Sequence, residues 1–82
     1  MTTIQRTRFI SEMERRFRLR TPAMDANHLD PNSRVGRSEM CVWAREALGV
    51  EMGLAESVEP ELAREIQDMW KRLKREFPKE DW

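Results

Sequence analysis

Between Pro60 and Pro78, Leu62, Ile66, Met69, Trp70, Leu73 and Phe77 recur at spacings of three and four, and no other feature of this chain narrows its fold so far. That period is one face of an α-helix. Pro60 suits a first helical position, Glu59 and Glu61 meet the positive end of the helix dipole, and Lys71, Arg72, Lys74 and Arg75 crowd its negative end. The pattern predicts a helix over 60–77, stopped by Pro78. Trp70 and Phe77 widen the apolar stripe beyond a coiled-coil seam, so the helix is expected to pack in a small globular bundle.

A second core face comes from Phe9, Ile10, Met13 and Phe17, which fall within a 100° arc if residues 3–19 are helical. Two starting points are open. The helix begins near residue 3, or it begins only at Ser11, which with Glu14 makes a capping-box pattern. Thr21-Pro22 ends it, and Asp30-Pro31-Asn32-Ser33 and Gly36 carry loop chemistry, so 21–36 reads as a long polar loop. A shorter helix over 38–48 is expected to follow, with Ser38 as N-cap, Gly49 closing it, and Val50 placed for the hydrophobic contact of a Schellman turn. Its core face is Met40, Trp43, Ala44, Ala47 and Leu48. Met52, Leu54 and Val58 bridge to the last helix through a stretch with Gly53, which suits a turn or a short helix. No segment alternates like a strand, so the fold class is all-α: a single domain, 1–82, with three main helices.

At 82 residues such a domain buries only about 60% or slightly more of its unfolded surface, and self-association is the usual remedy. Apolar residues make up 39% and charged residues 37%, enough large side chains to fold and too much charge to span a bilayer. With no secretory apolar segment at the N-terminus, the chain reads as cytoplasmic. Cys41 is the single cysteine and His28 the single histidine, so no internal disulfide and no metal site of the usual soft ligands is expected.

Fifteen Lys plus Arg balance fifteen Asp plus Glu. The balance conceals a dipolar layout: residues 1–20 hold six Arg and two Glu, 21–59 hold three Arg and seven acids, and 60–82 carry six of each. A layout of this kind suits docking onto another charged surface, including a second copy of the chain.

On the first helix Arg8, Ser11, Arg15 and Arg18 align in one outward stripe, bordered by Ile4 and Leu19. A row of guanidinium groups forks onto carboxylates or phosphates. Glu12 and Glu14, four residues before Arg16 and Arg18, are equally placed to neutralise that row within the helix. Val42 marks a second contact surface on the polar side of its helix. Trp82, after Lys79, Glu80 and Asp81, either folds back or docks as an exposed aromatic anchor. Trp43 and Trp70 read as core anchors, and Met24 and Met52 as adaptable contact residues.

Catalytic chemistry finds no support in the pattern. Cys41 borders a core face beside Trp43, and His28 lies near Asp25 and Asp30 without a nucleophile or a glycine-rich phosphate loop. A helix-turn-helix reading of 41–60 fails because its second helix would hold Glu51, Glu56 and Glu59 and no Lys or Arg. A ribbon-helix-helix reading fails on the sixteen-residue loop and on the missing strand alternation before Ser11.

The expected function is therefore that of a non-enzymatic binding protein, an adaptor, inhibitor or regulatory subunit that occupies a surface of a partner protein through Arg8, Ser11, Arg15, Arg18, Val42 and Trp82. Two alternatives stand beside it: a nucleic-acid regulator gripping phosphates with the arginine stripe, and a small-anion or nucleotide-binding oligomer. No cofactor is expected. Size and mixed-charge faces are consistent with the small accessory proteins of phages and mobile elements.

Overall fold

The structure, a computed structural model, describes residues 1–19, 25–52, 58–80 and 82. Its first helix, α1 (Thr3–Arg18), starts early because Thr2 caps it: the Thr2 hydroxyl accepts from the Gln5 N–H at 3.1 Å and the Gln5 side chain accepts from the Thr2 N–H at 2.9 Å. This reciprocal cap satisfies two of the donors that a helix start leaves open. Ser11 is an exposed mid-helix residue, which decides for the longer of the two expected helices.

The second helix, α2 (Arg34–Leu48), begins four residues before the expected start, and this corrects the reading of 21–36 as one long loop. Ser33, not Ser38, is the N-cap, its hydroxyl accepting from the Gly36 N–H at 2.9 Å. Upstream, the 3₁₀ turn Ala26–Leu29 is capped by Asp25 and buries Leu29. The Asp30 carboxylate then takes the Asn32 N–H at 2.8 Å, an Asx turn leading straight into the helix. Gly36, read from the sequence as a loop residue, lies inside α2, at a position that takes glycine because a Cβ there would stand 1.9 Å from the Asp30 carbonyl oxygen. At the other end Gly49 closes α2 with φ +67°, a left-handed conformation that glycine adopts without strain. The expected turn or short helix around Gly53 lies outside the described residues.

The third helix, α3 (Pro60–Glu76), has Pro60 in its first turn and Phe77 as its C-cap, as the sequence indicates. Its apolar row of Leu62, Ile66, Met69 and Leu73 is fully buried with Phe9, Met13 and Phe17 of α1, Met40, Trp43 and Ala44 of α2, and Leu29. Trp70 and Phe77 are half-buried at the edge of this core. Among the described residues there is no strand, and no helix is long and apolar enough to cross a membrane. A Cα radius of gyration of 11.9 Å matches the roughly 11.7 Å of one domain of this length.

Helices α1 and α3 run parallel. The N-terminal ammonium with Glu59, Arg6 with Glu65, Glu14 with Arg72 and Arg18 with Glu76 all pair across a sequence separation of 58 or 59 residues. A nearly constant separation is what two parallel helices in fixed register produce. The final turn of α2 packs on α1, where Arg8 reaches the Ala47 carbonyl at 3.4 Å and Arg16 pairs with Glu46.

Candidate functional site

The arginine stripe of α1 is exposed, and its guanidinium groups are already engaged. Arg15 forks onto Glu12 at 2.6 and 3.1 Å, and Arg16 reaches the same carboxylate at 2.7 Å. Hydrogen bonds from Arg15 and then Arg16 lower the Glu12 pKa to about 2, so this carboxylate stays charged throughout the neutral range. Arg18 spans to Glu76 at 2.9 Å and to Glu14 at 3.5 Å, holding the Glu76 carboxyl below its ordinary value. Arg8 caps the end of α2 through the Ala47 carbonyl, where the helix dipole favours a cation. Ser11 stands exposed among them. The stripe therefore offers a partner few unsatisfied charges.

The remaining predicted contact residues lie apart from it. Trp82 is folded back: its indole N–H donates to the Phe77 carbonyl at 3.1 Å and its ring lies 5.6 Å from that of Phe17. Phe77 meets the same Phe17 ring edge-on at 5.4 Å. Val42 is 37% exposed and shares its face of α2 with Val35, which is 48% exposed. Cys41 is half-buried, with its thiol 3.5 Å from the Met52 carbonyl oxygen. His28 Nδ1 lies 3.1 Å from the Asp25 backbone nitrogen and 3.0 Å from the Asp25 carboxylate, closing the cap of the 3₁₀ turn. Among the described residues no group of three or more His, Cys, Asp or Glu is arranged to hold a metal ion.

The outward face of α3 is different. Arg64, Lys71 and Arg75 fall within an arc of about 40° and span about 16 Å of helix, opposite the buried Leu62/Ile66/Met69/Leu73 row. All three are exposed, and among the described residues none has a carboxylate within salt-bridge distance. Asp68 and Glu61 are the acids that border this face. Sequence reasoning missed the stripe because the basic residues after position 70 already had an explanation as partners of the helix dipole. The signal was the 64/71/75 spacing, which also places Arg64 in the row, about three turns from the C-terminal end whose dipole favours cations.

A cleft of about 340 Å³ opens between the 3₁₀ turn, α3 and Trp82, lined by Asp25, Asn27, Asp30, Asn32, Trp70, Lys74 and Trp82. The Lys74 ammonium sits 6.0 Å from the centroid of the Trp82 ring. The indole N–H of Trp70 is buried and has no hydrogen-bond partner among the described residues. Comparison with protein-family profiles, with curated proteins and with solved structures found no match to this chain.

Proposed function

We propose that this chain is a non-enzymatic binding protein that occupies an acidic surface of a partner protein, as an adaptor, inhibitor or regulatory subunit does, and that it uses the outward face of α3. One observation carries the reading: Arg15, Arg16 and Arg18 of α1 are paired with carboxylates of the same molecule, whereas Arg64, Lys71 and Arg75 stand in one row with no carboxylate partner among the described residues. Unpaired guanidinium and ammonium groups on a rigid helix are available to a partner's carboxylates at no cost in broken ion pairs. The proposal moves the interface from Arg8, Arg15 and Arg18 to α3.

A nucleic-acid reading is less favoured on the same face. Three cations with Asp68 beside them are few for a polyanion, whose grip grows with the number of phosphates neutralised. The chain as a whole has no net positive charge to hold a polyanion.

The test is capture from native extract, with and without nuclease, using the parent chain, the pair R64E and K71E together, and R15E. The proposal expects a nuclease-resistant protein partner that R64E/K71E loses and R15E keeps. Loss with R15E alone returns the interface to α1, and loss with nuclease transfers the reading to nucleic acid.

A further inference from the structure

The cleft described above has a composition that α3's outward face lacks: two carboxylates, two indole rings and one lysine in the same concavity. Its volume lies at the lower end of the roughly 300–1,000 Å³ usual for small-ligand sites. Hydrogen bonding to His28 holds the Asp25 carboxyl below its ordinary value, so it is ionised at neutral pH. Lys74 shows what this wall accepts: its ammonium already rests over the Trp82 ring, the position in which an aromatic face attracts a cation.

We propose that this cleft is a binding site for a guanidinium group, presented by an arginine side chain of a peptide segment. Guanidinium is favoured over ammonium because it is planar, stacks on an indole, forks onto a carboxylate and is weakly hydrated. A peptide is favoured over a free organic cation because it brings backbone donors and acceptors together with the cation, and the Asn27 and Asn32 side chains line the same cleft. Lys74 is then an internal competitor. An arriving arginine displaces it from Trp82, and Lys74 is exposed with no carboxylate partner to lose. The site is independent of the α3 row, since its carboxylates and Trp82 belong to other segments.

The experiment is a titration of the isotope-labelled full chain with acetyl-Gly-Arg-Gly-amide, following the three indole N–H signals by NMR. Saturable shifts of Trp70 and Trp82 are expected, with Trp43 unmoved because it is fully buried in the core. The same peptide with Lys should bind more weakly and that with Glu should not bind. D25N together with D30N keeps the acceptor oxygens that serve the Asn27 and Asn32 amides while removing both charges, and should weaken binding about tenfold. K74M should tighten it about two- to threefold by vacating the Trp82 face. The proposal is overturned if Trp70 and Trp82 show no saturable shift up to about 20 mM peptide, beyond which affinity is negligible. Binding that is indifferent to the loss of both carboxylates, or to K74M, overturns it equally.

Discussion

The Asp30 carbonyl oxygen stands 1.9 Å from the point where a Cβ on Gly36 would be built, with the Asn27 carbonyl oxygen 2.8 Å from the same point. The backbone of α2 thus meets the backbone of the 3₁₀ segment with no room for a methyl group. Neither carbonyl is the end of a flexible side chain.

Replacing Gly36 with Ala should therefore destabilise the fold by about 2–3 kcal/mol, although Ala is intrinsically the better helix former by about 1 kcal/mol. Gly49 provides the comparison, because its surroundings are open and its cost is conformational only. Gly49→Ala should lose about 1 kcal/mol, with Asn better tolerated than Ala. Denaturant unfolding of the two variants should rank them in that order, and equal losses would contradict the close approach.

Trp43 is the largest fully buried side chain, and truncating it to Ala should cost about 3–5 kcal/mol, most or all of the stability of a domain this small. Trp82→Ala should leave a folded protein, since Trp82 is half-buried at the edge of the Phe17 and Phe77 rings. Far-UV circular dichroism distinguishes the outcomes: helicity lost in the first variant and kept in the second.

Arg6 and Glu65 join α1 to α3 at 3.1 Å, with the arginine mostly covered. A double-mutant cycle using Arg6→Gln and Glu65→Gln should return a coupling of about 0.5–1 kcal/mol, reduced by added salt. Zero coupling at low salt would mean that the apolar faces alone keep the two helices in register.

Acid should weaken the fold through depressed carboxyls. Glu12 titrates at about 2 when folded and near 4.5 when unfolded, so its contribution is complete above about 4.5 and disappears as the pH falls toward 2. Glu76 and Asp25, also lowered, act in the same direction. Glu12→Gln should flatten the decline in thermal midpoint between pH 4.5 and pH 2, while a decline as steep as that of the parent would assign the acid limb to other groups.

Legibility in the sequence followed the physics of each element. The stripe from Leu62 to Phe77 is legible because one period serves both the helix and its burial. Thr2 with Gln5 was as readable a cap as Ser11 with Glu14, and the choice between them rests on Arg6 and the N-terminal ammonium meeting α3, contacts made across almost the whole chain. Gly36 misled because a glycine required by a neighbouring backbone looks the same in sequence as one required by a loop. The ion pairs that occupy Arg15 and Arg16 were partly visible in the spacing from Glu12. Those taking Arg18 to Glu76 and Arg72 to Glu14 were not, since no local pattern records which helices become neighbours.

The register that sets the α3 partners of α1 some 58 residues downstream also governs the order in which the chain can mature during synthesis. While a ribosome is still making α3, Phe9, Met13 and Phe17 have only α2 and Leu29 to shelter them, and Glu65 and Glu76, which will tie Arg6 and Arg18 to α3, do not yet exist. Pairings between opposite ends of a chain are also the slowest to close, because the intervening loop must be ordered before they contribute. Folding is therefore expected to complete only after the last helix has emerged, and a nascent chain stalled before it would expose the aromatic face of α1 to chaperones.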